Sequence, residues 1–118
     1  MTLIDTSVWV DHFRRSDALL QDLLNEGEVL IHPFVIGELA CGNLNQREAI
    51  LDSLNALPHV AQATHEEVTH LMESKRLYGK GLGWIDAHLI ASAMIGKIDF
   101  WTKDKRLASV AKSLRLQI

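Results

Sequence analysis

"TLIDTSVWVD", residues 2–11, sets one carboxylate between two apolar runs. Residues 2–5 read as a short buried strand that stops at Asp5. Val8, Trp9 and Val10, with Phe13 four residues after Trp9, read as a helix over 8–14. Thr6 and Ser7 make the turn between them. A buried strand that runs straight into a helix is the opening half of a β–α unit, and such units build parallel sheets covered on both faces. Ligands of open parallel α/β sheets collect beyond the carboxyl ends of the strands. Asp5 stands at such an end.

The same alternation continues along the chain. Leu19, Leu20, Leu23 and Leu24 are spaced as a helix entered after Ser16 or Asp17, and Gly27 ends it. "EVLIH" (28–32) reads as a second strand, and Pro33 suits the first position of a helix carrying "FVIGELACG". Asn45 is expected to cap a helix with Ile50, Leu51, Leu54 and Leu57 on one side. "HVAQA" (59–63) reads as a third strand. Thr64 and Glu67 have capping-box spacing and open a helix through about Tyr78. "GKGLG" (79–83) breaks it. "WIDAHLIASAMIG" is a helix ending at Gly96, "IDFWT" (98–102) a fourth strand, and Leu107, Val110, Ala111 and Leu114 mark an amphipathic last helix. "RLQI" completes the sequence as a candidate edge strand. The expected fold is a single α/β domain over residues 1–118, with a central parallel sheet of four to five strands.

Composition narrows the setting. The 118 residues are 47% apolar and 23% charged, ordinary for a globular domain with its own core. Cys41 is the only cysteine, so no intrachain disulfide forms and a reducing, cytoplasmic compartment is expected. No apolar run reaches the ~18 residues of a membrane helix, and no signal peptide is evident at the amino terminus. Charge is divided unevenly. Residues 1–69 hold 3 Lys/Arg against 11 Asp/Glu, whereas residues 70–118 hold 9 against 4. Solvated helix faces account for such a split as readily as a basic track beside an acidic site, which suits a polyanion held near cations.

Four carboxylates can share the sheet's carboxyl edge: Asp5 after the first strand, Glu38 in the helix after the second, Asp86 opening the helix after "GKGLG", and Asp104 after the fourth. Each has a local alternative. Asp5 and Asp104 suit helix caps, Asp86 suits a first turn, and Glu38 suits a solvated position. As a group they need more. Two carboxylates ~4 Å apart repel by about 4 kcal/mol at an effective dielectric near 20. Asp5, Glu38 and Asp86 have no Lys or Arg beside them in sequence. A hard divalent cation relieves the repulsion, and an all-oxygen set favours Mg²⁺ or Mn²⁺ over Zn²⁺. Thr6, Ser7 and Thr102 are placed to orient the carboxylates or their waters.

"LIDTSVWVDHF", "VIGELACG", "GWIDAHLIASA" and "FWTKDKRL" resemble, in order and context, the four acidic motifs of PIN-domain ribonucleases. Chain size and motif spacing are similar to the VapC-type toxins of bacterial toxin–antitoxin pairs, over nearly the whole length. The resemblance implies a three-layer α/β/α sandwich and metal-dependent hydrolysis of RNA phosphodiester bonds. It assigns the acidic positions to Asp5, Glu38, Asp86 and Asp104, and the hydroxyl positions of the first and fourth motifs to Ser7 and Thr102. Asp5 and Asp86 become the main metal ligands, with Glu38 and Asp104 holding waters or a second ion. It also implies a homodimer and an antitoxin whose basic arm blocks the acidic site.

Other motifs carry less. "HEEVTH" (65–70) spaces its histidines five apart, about 140° around a helix, so they cannot share a metal from one face. His88, two residues after Asp86, is a candidate base weighed against an ordinary core-edge histidine. Lys80 in "GKGLG" is a candidate phosphate contact, although the loop itself reads first as a helix terminator. Lys103, Lys105 and Arg106 flank Asp104 and are read as RNA phosphate contacts. A haloacid-dehalogenase-like phosphatase needs a second Asp where Ser7 stands. A receiver domain needs an acceptor Asp after its third strand, where Thr64 and His65 stand. A non-catalytic module whose acidic pocket receives a basic peptide is the remaining alternative.

Overall fold

β1 (Thr2–Ile4) is the middle strand of a three-stranded, wholly parallel sheet, between β2 (Val29–Leu30) and β3 (Asp99–Trp101). The computed structural model describes residues 1–116. Seven helices accompany the strands among the described residues: α1 (Thr6–Arg14), α2 (Ala18–Asn25), α3 (Pro33–Ala40), α4 (Arg47–Asn55), α5 (His65–Ser74), α6 (Trp84–Gly96) and α7 (Lys105–Ser113). Thr2, Leu3 and Ile4 are all buried. Successive strand residues point to opposite faces, so both faces of β1 are covered, as parallel sheets require. α1 packs on α3, α3 on α4, and α5 on α6, which also meets β3.

The sheet is narrower than the four to five strands expected. Ile31 and His59 form an isolated parallel bridge beside β2, with Ile31 N–H donating to Pro58 O at 2.9 Å and Val60 N–H to Ile31 O at 3.0 Å. There the pairing ends, because the N–H of Ala63 donates instead to Ser92 Oγ at 3.0 Å on α6. "HVAQA" is thus tied to a helix after one bridge rather than extended as a strand. At the other edge, Leu116 O accepts from Phe100 N–H at 2.7 Å. Arg115 and Leu116 are not strand, and the rest of the "RLQI" expectation, Gln117 and Ile118, lies outside the described residues.

Helix boundaries follow capping chemistry. Asp17 caps α2 by accepting from Leu20 N–H at 3.1 Å, and Thr64 and Glu67 form the reciprocal capping box of α5. Two expectations shift. α5 ends at Ser74 rather than near Tyr78, because Arg76 turns left-handed (φ 52°) and Leu77 N–H returns to Met72 O. Asn45 does not cap α4. Gln46 occupies that position with left-handed backbone (φ 54°) and no side-chain bond, while the Arg47 guanidinium binds the carbonyls of Gly42 and Ala40. α6 is apolar nearly all round, with Ala87 through Ala93 buried, so it runs through the interior rather than along the surface. Its Leu89 and Ile90 join Leu3, Ile4, Val8 and Phe100 in one core. Burial of each such large apolar side chain contributes about 1.5–3 kcal/mol.

Candidate active site

Asp5 leaves β1 still held by the sheet, its N–H donating to Trp101 O at 2.9 Å, and caps α1. It is 5% exposed. Its Oδ2 accepts the hydroxyls of Ser7 and Thr102, both at 2.7 Å, and more weakly the N–H of Ser7 at 3.4 Å. The hydroxyl directions are fixed from behind. Lys103 N–H donates to Ser7 Oγ at 2.9 Å and Asp104 N–H to Thr102 Oγ1 at 3.1 Å, which leaves each hydroxyl's single proton for Asp5. A buried carboxylate is therefore oriented by two charge-assisted bonds converging from α1 and the β3–α7 connection.

The other three carboxylates are arranged on the same plan. Asp86, in the first turn of α6, accepts Gly83 N–H on Oδ2 at 3.1 Å. Its pKa is raised, chiefly by desolvation and further by the negative charges of Asp5 and Asp104, while the Gly83 bond acts in the opposite direction. Asp104 caps α7, with Oδ1 accepting Leu107 N–H at 3.0 Å. Glu38 projects from α3 and accepts the Thr6 hydroxyl on Oε1 at 2.6 Å. The local alternatives and the shared edge thus hold together: three carboxylates do cap or open helices, yet Asp86 also feels the charges of Asp5 and Asp104. Each of the four uses one oxygen in the bonds described. The second oxygen of each has no hydrogen bond to protein among the described residues. Nor does any Lys or Arg form an ion pair with any of the four among those residues.

These oxygens form an open set rather than a closed cage. Among the described residues no three His, Cys, Asp or Glu side chains converge tightly enough to enclose an ion. An all-oxygen donor set with room for water is what a hard, hydrated cation of the Mg²⁺ or Mn²⁺ kind takes, because it retains several waters. The residues fit such a group through their chemistry and their unpaired oxygens.

The basic residues separate into two groups. Lys80, Lys105 and Arg106 line one cavity of about 370 Å³ with Ser109, Val110 and Ser113. Gly81 (φ +80°) lies against Arg106 there, and a Cβ at that position would stand 2.9 Å from Arg106 Cδ. Lys103 is elsewhere engaged. Its Nζ lies 3.2 Å from Asp11 and 3.1 Å from Asp17, bonds that raise its pKa. His88 is packed between the rings of Phe34 and Trp84, at centroid distances of 4.9 and 4.6 Å. Sequence reasoning passed over Asp11 and Asp17 as the partners of Lys103, and Trp84 as an exposed aromatic. A Trp at the head of a helix, behind a glycine and two residues before a site Asp, was the available signal for the last.

The PIN domain family profile matches residues 2–113. The chain is a PIN-domain protein of the VapC family. It is 48% identical over 115 residues to Ribonuclease VapC32 of Mycobacterium tuberculosis strain CDC 1551 / Oshkosh, covering 96% of this chain and 93% of that protein. Identity and coverage are the same for Ribonuclease VapC32 of strain ATCC 25618 / H37Rv. The α/β fold with a parallel sheet is that of the PIN family, and among the described residues no helix is long and apolar enough to cross a membrane.

Proposed function

We propose that the chain is a metal-dependent endoribonuclease, the toxin of a toxin–antitoxin pair, acting in the cytoplasm on RNA phosphodiester bonds. One observation carries the reading: four carboxylates at the carboxyl edge of a parallel sheet each keep one oxygen free of protein hydrogen bonds and lack a basic partner among the described residues. The similarity to curated ribonucleases supplies the substrate class. Asp5 and Asp86 hold the metal, and Glu38 and Asp104 hold its waters or a second ion. Mg²⁺ or Mn²⁺, when bound, supplies Lewis acidity at the phosphoryl group and lowers the pKa of a coordinated water. Ser7 and Thr102 fix the Asp5 carboxylate, and Thr6 fixes Glu38. Lys80, Lys105 and Arg106 hold the RNA backbone beside the carboxylates, with Lys103 contributing chiefly through its own ion pairs. The same acidic edge receives the basic arm of an antitoxin, and the toxin works as a homodimer.

Brief expression in cells, with sequencing of the RNAs cut and an Asp5→Asn control, tests the reading. Cleavage at defined sites that vanishes in the control is expected. Melting supplies a second check. Millimolar Mg²⁺ or Mn²⁺ is expected to raise the melting temperature. A temperature unmoved by either metal but raised by a basic peptide would return the chain to a non-catalytic acidic-pocket module.

A further inference from the structure

A file of rings runs from the core to the surface beside the carboxylates. His32 is wholly buried and meets Phe34 at a tilt of 56°, 4.9 Å between centroids. Phe34 meets His88 at 4.9 Å, His88 meets Trp84 edge-on at 4.6 Å and 86°, and Trp84 meets His65 at 5.0 Å. The rings come from the entry to α3 and the amino ends of α6 and α5. Trp84 is braced on two sides, yet it remains 45% exposed. An indole held in place and left open has already lost the rotational freedom that binding would otherwise remove.

Its position identifies what it receives. Trp84 stands two residues before Asp86 and follows the glycine whose N–H that carboxylate accepts. The loop leading to it carries Lys80 and the 60% exposed Tyr78, and Gly81 in that loop lies against Arg106. An exposed aromatic two residues from a site carboxylate, on a loop that carries one of the cations of the basic cavity, matches what single-stranded nucleic acid requires: cations along the backbone and a π-face for a base. A protein-docking patch fits less well. The next exposed apolar residue of α6, Ile95, lies eleven residues on, about 16 Å along the axis. The rings that meet Trp84 are two histidines, His65 and His88.

We propose that Trp84, braced by His65 and His88, stacks a base of single-stranded RNA next to the scissile phosphate. The inference rests on the ribonuclease reading. Its test uses an oligoribonucleotide that the unmodified chain cuts, drawn from a mixed-sequence pool, with each base near the cut removed in turn to leave an abasic ribose. Loss of one particular base is expected to lower kcat/KM by about 5- to 150-fold, the range for one stacked base. Trp84→Ala should lower it comparably, and the two losses together should not exceed either alone. Trp84→Phe, which keeps a π-face, should retain most activity and guards against a fold defect in the alanine variant. Without metal, where nothing is cut, binding of oligo(A) should quench indole fluorescence in the unmodified chain and not in Trp84→Phe.

Losses that multiply, or unchanged cleavage by Trp84→Ala, would overturn the stacking subsite and leave the ribonuclease reading standing. A base-independent loss that tracks a change in sedimentation would assign Trp84 to a protein contact instead. An unmodified chain that cuts no RNA in either metal would overturn the ribonuclease reading, and the subsite with it.

Discussion

Two groups of acidic residues in this chain are treated in opposite ways. Asp11 and Asp17, on α1 and at the head of α2, share the ammonium of Lys103 at 3.2 and 3.1 Å. Asp5, Glu38, Asp86 and Asp104 receive hydroxyls and backbone N–H groups but no ammonium or guanidinium among the described residues. The chain supplies a cation where acids only need compensating and withholds one where they face the edge of the sheet. Hydrogen bonds orient a carboxylate without occupying all its lone pairs. An ion pair would compete with an outside cation for the same charge.

The largest expected effect comes from breaking the second group. Asp86→Asn should lower Mg²⁺-dependent RNA cleavage by about 10³-fold or more, since on the proposed reading a ligand to the activating ion is lost. The same change should slightly raise the melting temperature without metal. Asp86 carries its charge against desolvation and against Asp5 and Asp104, whereas an amide oxygen still accepts from Gly83. Activity and stability thus move in opposite directions. Asp11→Asn should leave cleavage close to that of the unmodified chain. Equal losses in the two variants would erase the distinction between the groups.

A third treatment of charge sharpens the comparison. His32 is buried without an ionic partner among the described residues, its Nδ1 accepting Phe34 N–H at 3.0 Å and its Nε2 without a hydrogen-bond partner among them. Burial, with smaller contributions from His88 and His59, lowers its pKa from 6.5 to about 4. The folded state therefore holds the neutral ring while the unfolded chain takes up a proton below 6.5. Stability from this group is intact above about pH 6.5, falls as pH drops towards 4, and levels off below. The loss is about 3 kcal/mol at most. Urea unfolding from pH 7.5 to 4 should show it. His32→Asn, which keeps an acceptor for Phe34 N–H, should flatten that part of the profile.

The basic residues divide on the same principle. Replacing Lys105 and Arg106 by Gln should reduce the salt slope of single-stranded RNA binding by about 1.4 in log–log terms, at ~0.7 per phosphate neutralised. Lys103→Gln should leave the slope nearly unchanged, because its ammonium already serves Asp11 and Asp17. Identical slopes for all variants would return the three cations to ordinary surface roles.

This division marks where the sequence stopped being informative. Asp5, Asp86 and Asp104 were legible because each follows directly from a local signal, the end of an apolar run or the start of a helical one. Asp5 and Asp104 come to the same end of the sheet because β1 and β3 are parallel neighbours, whereas Asp86 opens a helix that follows no strand. The capping box at Thr64 and Glu67 was legible for the same reason, since both partners lie within one turn. Lys103 was not. Its neighbours in sequence suggested phosphate contacts, while its partners lie 86 and 92 positions away and depend on how α1 and α2 pass the head of α7. The expected third strand failed for a related reason. "HVAQA" has the apolar content of a strand, but the competing acceptor, Ser92, belongs to a helix nearly thirty residues on. Periodicity identifies what a segment can become, and long-range polar partners decide between the options.

Lys103→Met, the smallest expected effect, tests whether the first group of acids is truly compensated. The Lys103 side chain is 34% exposed, against 51% for Asp11 and 20% for Asp17, so the pairs are solvent-screened surface bridges of small effect. Asp17 has a lowered pKa first because it accepts Leu20 N–H, and only then because of Lys103. Its stabilising contribution is present above its ordinary value of 3.8 and is lost as pH falls through the lowered folded value. The Lys103 contribution, from a raised pKa, is present below 10.5 and is lost as pH rises through the folded value. The stability difference between the unmodified chain and Lys103→Met should therefore be greatest near neutrality, shrink at both acid and alkaline extremes, and weaken with added salt. A difference that persists unchanged below pH 3 would mean that the lysine acts through something other than its ion pairs, such as its Nζ over the Trp101 ring at 6.0 Å.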